Sequence, residues 1–124
     1  MKILTLTNLY PPHQIGGYEV RCQQVMEALA ARGHEVTVLT SDYQKDGDLP
    51  EESPFPVHRQ LKIHGFYGRP WLPIFQLYPQ EKYNQEQLQH NLTSVNPDLV
   101  HVWNMGGISK ALLHTLEKTR LPVV

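Results

Sequence analysis

Apolar positions along the first forty residues follow two alternating periods. Ile3, Leu4 and Leu6, set among Thr5 and Thr7, form a short apolar run, as expected of a central strand covered on both faces. Pro11 and Pro12 close it, because proline cannot donate to a strand ladder. From Tyr18 the apolar positions fall at Cys22, Val25, Met26 and Leu29, which is one face of a helix. Gly33 supplies the left-handed residue that follows many helix ends, and Arg32 places a cation near the negative pole of the dipole. Glu35-Val36-Thr37-Val38-Leu39-Thr40 then reads as a second strand, and a right-handed crossover makes the two strands parallel neighbours.

The same alternation continues. Residues 43 to 56 carry acids, Gly47 and three prolines without any period, which predicts a polar loop. Val57, Arg59, Leu61 and Ile63 share one face of a strand over 57 to 63, with His58, Gln60 and Lys62 on the other, a pattern suited to an edge strand. An aromatic, proline-broken stretch from His64 to Pro79 follows, and then a helix from about Gln80 to Val95 with Leu88, Leu92 and Val95 on one face, ended by Asn96-Pro97-Asp98. A buried strand over 99 to 103, a second glycine turn at Gly106-Gly107, a helix carrying Ile108, Leu112, Leu113 and Leu116, and a fifth strand over 121 to 124 complete the series. The predicted fold is α/β, three layers, with a Rossmann-like doubly wound parallel sheet in the order 3-2-1-4-5. The apolar run that ends at Val124 reads as a cut inside a strand.

In that order the first and fourth strands are neighbours where the winding reverses, and ligands of such sheets bind beyond the carboxyl ends of those strands. Both glycine turns, Gly16-Gly17 and Gly106-Gly107, fall there. Glycine lets the backbone approach a ligand, and a helix amino end favours an anionic or hydroxyl-rich group; the alternative is that either pair only makes a turn. The candidate substrate-binding residues are Gly16, Gly17, Tyr18, His13, His101, Trp103, Asn104, Gly106 and Gly107, with Tyr10 beside them. His101, in mid-strand, also fits a hydrogen-bonded core histidine. Trp103 fits a stacking surface or simple packing. Phe66, Tyr67, Arg69, Trp71, Phe75 and Tyr78 fit either an acceptor platform for sugar or lipid faces or a loop pinned by its own rings.

Composition narrows the function. With 124 residues the chain is at most one domain, and its net charge of -1 gives no basic footprint for nucleic acid. Its one cysteine, Cys22, lies on the helix's apolar face and fits a small core residue. The seven histidines include no pair at metal-ligand spacing and no cysteine cluster beside them, so no metal site is expected. No cleavable leader or apolar span of about 18 residues is legible, which leads to a cytoplasmic expectation. The first turn, Ile15-Gly16-Gly17-Tyr18-Glu19-Val20, is not the G-x-G-x-x-G of nicotinamide enzymes, and no Walker sequence is present.

Tyr10-Pro11-Pro12, Gly16-Gly17-Tyr18-Glu19, the stretch from Leu29 to Thr40 with Arg32-Gly33-His34-Glu35-Val36, Asn96 to Val102, and Leu121 to Val124 together resemble the beginning of a family 4 glycosyltransferase of the GT-B fold, the group 1 type. The resemblance covers nearly the whole chain except about residues 43 to 85. It implies the truncated N-terminal, acceptor-side domain of a retaining enzyme that moves a sugar from a nucleotide sugar to a carbohydrate or lipid-linked acceptor. The glycine-rich loop would approach the donor's phosphates or the acceptor. The nucleotide-sugar-binding C-terminal domain and the catalytic residues would lie outside this sequence, and no cofactor is implied beyond the donor substrate. In many members a histidine stands where this chain has Trp103. The resemblance also implies peripheral membrane association of the parent, and exposed sheet surface implies self-association of the fragment. The alternative function is a non-catalytic Rossmann-like binding or interaction module.

Overall fold

A computed structural model describes residues 1–45, 47 and 49–124. Four strands, β1 (Lys2–Leu6), β2 (Glu35–Ser41), β3 (Val57–Leu61) and β4 (Leu99–Val102), form a parallel sheet in the order β3-β2-β1-β4. The predicted fifth strand is a single parallel bridge, Val100 to Val123. Val100 and Val102 donate to the carbonyls of Pro122 and Val124, and Val124 donates back to Val100, so it continues the sheet beside β4 as the predicted order requires. The predicted polar loop over 43 to 56 has no regular element at its described residues; its Asp46 and Asp48 lie outside them.

Helix α1 (Gly17–Ala31) covers one face of the sheet, burying Cys22 and Met26 against Tyr10, Val36, Val38 and Phe55. Gly33 follows it at a φ of 93°. Helices α2 (Ile74–Val95) and α3 (Ala111–Lys118) cover the other face, where Leu88, Leu112 and Leu116 meet Leu4, Leu6, Leu39 and Val100. The strands are therefore buried on both sides, and each fully buried leucine contributes about 2 kcal/mol. Alternate residues of one strand serve opposite layers: Leu4 and Leu6 point to α2 and α3, while the Thr5 hydroxyl reaches the Met26 sulfur on α1.

Two expectations are corrected. A register shift between Thr40 and Ser41 leaves Gln60 as an extra residue of β3, and such a bulge reverses the alternation that follows it. Val57 accordingly packs with the α1 layer, whereas Leu61 and Ile63 pack with the α2 and α3 layer; the four residues do not share one face. Helix α2 begins at Ile74 with Pro73 as its N-cap and carries Pro79 inside it, so it starts well before Gln80. Its early residues have no apolar face towards the core, which is why periodicity misses them. Its end is as expected, with Asn96 in the left-handed region at φ 48°.

Candidate substrate-binding site

The carboxyl edge of the sheet is held together at β1 and β4. Asn8 donates its backbone N–H to Asn104 O at 2.8 Å, and Trp103 donates to Leu6 O at 2.9 Å. This pairing brings both glycine turns to the same edge, but they are built differently.

The second turn is packed and wired. Buried Asn8 donates through Nδ2 to Gly106 O at 2.9 Å and to the Tyr67 hydroxyl at 3.0 Å, and Gly106 donates to Asn104 Oδ1 at 3.0 Å. A Cβ on Gly106 would lie 3.1 Å from Asn8 Nδ2. Gly107 has φ +81°, a Cβ there would lie 3.1 Å from Ile63 Cβ, and its carbonyl accepts from His64 N–H at 3.1 Å. The chain itself needs both glycines. Asn8 Oδ1 is buried without a hydrogen-bond partner among the described residues.

The first turn is open. Gly16 is extended, with φ -140° and ψ -168°, and neither Gly16 nor Gly17 has a positive φ. A Cβ on Gly17 would meet nothing within 4 Å. The buried Glu19 carboxylate accepts from Gly16 N–H at 3.0 Å. A carboxylate within the first turn already complements the positive pole of the helix. The expectation that this helix end stands ready for an anion is corrected to that extent: Glu19 occupies the first donor.

Exposed Tyr18 is tied to β4, since Trp103 Nε1–H donates to Tyr18 O at 3.0 Å. Their rings meet edge to face at 6.5 Å. Gly17, Tyr18, Arg21 and Trp103 line a recess of about 550 Å³. The His101 ring lies 5.5 Å from that of Trp103, on the α1 side of β4. Burial lowers the His101 pKa from its ordinary value of 6.5, and its Nδ1 has no partner among the described residues. Its imidazole is thus kept neutral at physiological pH. The hydrogen-bonded core histidine is not what is found, at least at Nδ1.

His13 is placed elsewhere. It is buried, its Nδ1 accepts from Lys45 N–H at 3.0 Å, and its Nε2 faces Glu51 at 3.4 Å. Glu51 also pairs with Arg59, whose guanidinium donates to Tyr10 O at 3.1 Å and Pro11 O at 2.7 Å. His13, Glu51 and Arg59 together tie the segment from Tyr10 to His13 to the loop at Lys45 and Glu51. Tyr10, expected beside the ligand, is a core residue whose hydroxyl is buried and whose pKa burial drives upward. Cys22 is likewise core, its thiol pushed up to about 12 by burial and secondarily by Glu19.

The structure thus brings Gly17, Tyr18 and Trp103 together with His101 behind them. It sets Asn104, Gly106 and Gly107 in a second cluster and His13 in a third. Sequence reasoning missed the roles of Asn8, Arg21, Glu51 and Arg59. An asparagine directly after a buried strand and an arginine alternating with Val57 were available signals, since each needs a polar partner when buried. The first part of the aromatic segment packs on its own rings, with Trp71 over Gly65, 5.4 Å from His64 and 5.6 Å from Phe66 by ring centres, whereas Phe75 and Tyr78 are exposed on α2.

A doubly wound sheet with a recess at its switch point defines a class of ligand-binding α/β domain. Residues 15–124 match the Glycosyltransferase Family 4 profile, and the chain belongs to that family. It is 27% identical over 135 residues to an uncharacterised 42.6 kDa protein in the cps region of Klebsiella pneumoniae, covering 100% of this chain and 35% of that protein. It is 45% identical over 51 residues to the uncharacterised glycosyltransferase MJ1607 of Methanocaldococcus jannaschii, covering 41% of this chain and 12% of that one. The chain therefore spans about a third or less of the curated relatives it matches. In fold it is similar to sucrose-phosphate synthase from Thermosynechococcus elongatus, with a TM-score of 0.56 at 17% identity over 99% of this chain and 31% of that one.

Proposed function

We propose that this domain forms the acceptor side of the cleft in a retaining glycosyltransferase that uses a nucleotide-sugar donor. The observation that carries the reading is the recess of Gly17, Tyr18, Arg21 and Trp103 at the switch point. A tryptophan ring with a backbone free of side chains beside it suits the flat face of a sugar, and Arg21 offers hydrogen-bond donors to its hydroxyls. His101, held neutral, adds an uncharged polar group behind the ring.

In this proposal the donor's nucleotide is held by a second domain. Charge that develops on the leaving phosphate must meet preorganised donors, and the α1 amino end is already complemented by Glu19. Those donors accordingly come from the other side of the cleft, and residues 1–124 alone carry no turnover. The acceptor is a carbohydrate or a lipid-linked one, and the reaction takes place on the cytoplasmic side. Among the described residues no helix is long and apolar enough to cross a membrane.

The test is transfer from a panel of labelled uridine, guanosine and thymidine diphosphate sugars by the full-length parent, comparing it with its Trp103→Ala variant. The expected result is sugar transfer in which Trp103→Ala raises KM for the acceptor several-fold and leaves KM for the donor unchanged. A rise confined to the donor would overturn the acceptor-side assignment. No transfer with any donor, together with acceptor binding by calorimetry, would favour the non-catalytic module.

A further inference from the structure

Arg21 stands one helical turn beyond Gly17 and three residues after Tyr18, so the three share one face of α1. That face borders Trp103 across the recess of about 550 Å³. Arg21 is exposed, and its charge is unmatched. The ion pairs among the described residues join His13 and Arg59 to Glu51, Arg69 to Asp42 and His114 to Glu117; none involves Arg21. Its neighbours three and four positions away are Gly17, Tyr18, Gln24 and Val25, so the helix offers it no carboxylate at ion-pair spacing. Glu19, the acid nearest in sequence, is buried and turned to the Gly16 N–H. Arg21 is also the one charged residue that lines the recess, which is therefore positive in a chain whose net charge is -1.

We propose, on the basis of the acceptor-side reading, that the sugar received beside Trp103 is a uronic acid whose carboxylate pairs with Arg21. A neutral sugar there would take water from the guanidinium and return no charge, which costs free energy. A carboxylate returns the charge and two parallel hydrogen bonds, because the two groups have matching forks. The geometry suits this sugar. A pyranose lies with its C–H face on an aromatic ring, and a uronic acid carries its carboxylate on C5, at the rim. The Trp103 ring is fixed by its Nε1–H bond to Tyr18 O at 3.0 Å, and Arg21 borders the same recess from the next turn of α1.

A sugar phosphate suits the recess less well. A phosphomonoester carries about two negative charges, whereas Arg21 supplies one positive charge. His101 adds none, because burial lowers its pKa.

The test is a set of ligand-observed NMR titrations of the full-length parent with methyl glucuronoside and methyl galacturonoside. Methyl glucoside, methyl galactoside and glucose 6-phosphate are the comparisons. At least one uronide is expected to bind about tenfold or more tightly than its neutral counterpart. Arg21→Gln should bring that ratio to within about twofold with an unchanged thermal melt, since the side chain is exposed. Trp103→Ala should weaken uronide binding several-fold. Neither uronide binding better than its neutral counterpart would overturn the proposal, as would uronide affinity unchanged by Arg21→Gln or by Trp103→Ala. Glucose 6-phosphate binding more tightly than both uronides, and losing that affinity in Arg21→Gln, would overturn it in favour of a phosphate. Equal binding of charged and neutral glycosides that Trp103→Ala weakens leaves the acceptor-side reading standing and removes the uronic acid alone. An Arg21-dependent uronide preference in a parent that transfers no sugar supports the acid site and counts against the enzyme reading.

Discussion

The two glycine turns stand at the same edge of the same sheet, each between a strand and the segment leading to a helix, and their glycines are there for opposite reasons. At Gly106-Gly107 the chain's own packing excludes a side chain: a Cβ would press on Asn8 at one residue and on Ile63 at the other, and Gly107 has a positive φ. At Gly17 the backbone is ordinary and the space beyond it is empty to 4 Å. Neither backbone geometry nor packing within the described residues requires a glycine at Gly17, which is where the proposed acceptor side makes its demand. Motif and placement are shared; only the neighbours separate a turn built for the fold from one left open.

The comparison breaks most readily at Gly107. Gly107→Val combines strain at a left-handed backbone with a clash against Ile63, and should cost about 3 kcal/mol, lowering the melting temperature by roughly 10 °C. Gly17→Val should stay within about 0.5 kcal/mol of the parent. Equal melts for the two variants would erase the structural distinction between the turns.

Asn8 is the next point of attack, because its side chain joins the second turn to Tyr67 of the aromatic loop. Asn8→Ala removes the bonds to Gly106 O and Tyr67 and leaves a partly buried carbonyl without its partner, which should cost about 2 kcal/mol in denaturant unfolding. Tyr67→Phe removes only one of those bonds and should cost about half as much. An Asn8→Ala variant as stable as the parent would show that packing alone holds the turn.

Gly17 sharpens the functional half of the comparison. In the full-length parent, Gly17→Val should reduce kcat/KM by about tenfold or more, corresponding to at least ~1.4 kcal/mol of lost transition-state stabilisation. Normal activity would leave Gly17 as an unremarkable first residue of α1, and the recess as surface relief.

Much of this contrast lay beyond the sequence. The β1-α1-β2 unit was legible because its apolar positions follow one period at a time, and the pairing of β1 with β4 placed both turns at one edge. The difference between the turns was not, because the residues that crowd Gly107 come from the end of β3, far away in sequence. The bulge at Gln60 inverted the face of Leu61 and Ile63, and one inserted residue leaves no mark in a five-residue alternation. Helix α2 started early because Ile74, Phe75 and Tyr78 are exposed, so its first turns show no core-facing stripe. His13 was placed beside the ligand from its position in the loop, whereas the partners that draw it aside, Glu51 and Arg59, lie in a separate loop and strand.

The smallest expected effect concerns His101, which backs the open turn. Burial lowers its pKa in the folded chain below the ordinary 6.5, so on acidification the unfolded chain takes up this proton first. Stability from the neutral imidazole is then fully present above about pH 6.5 and falls as pH drops towards the folded value. His101→Gln abolishes that contribution, and the difference in unfolding free energy between parent and variant should shift in the variant's favour between about pH 7 and about pH 5. Carboxylates and the other histidines act in both proteins and cancel in the difference. A difference that stays flat across that range would mean the imidazole meets water from the recess freely, and the wall behind Trp103 would then be wet and able to accept charge. A difference that moves as stated keeps His101 an uncharged group, fit to hydrogen-bond a sugar hydroxyl and unfit to pair with a phosphate.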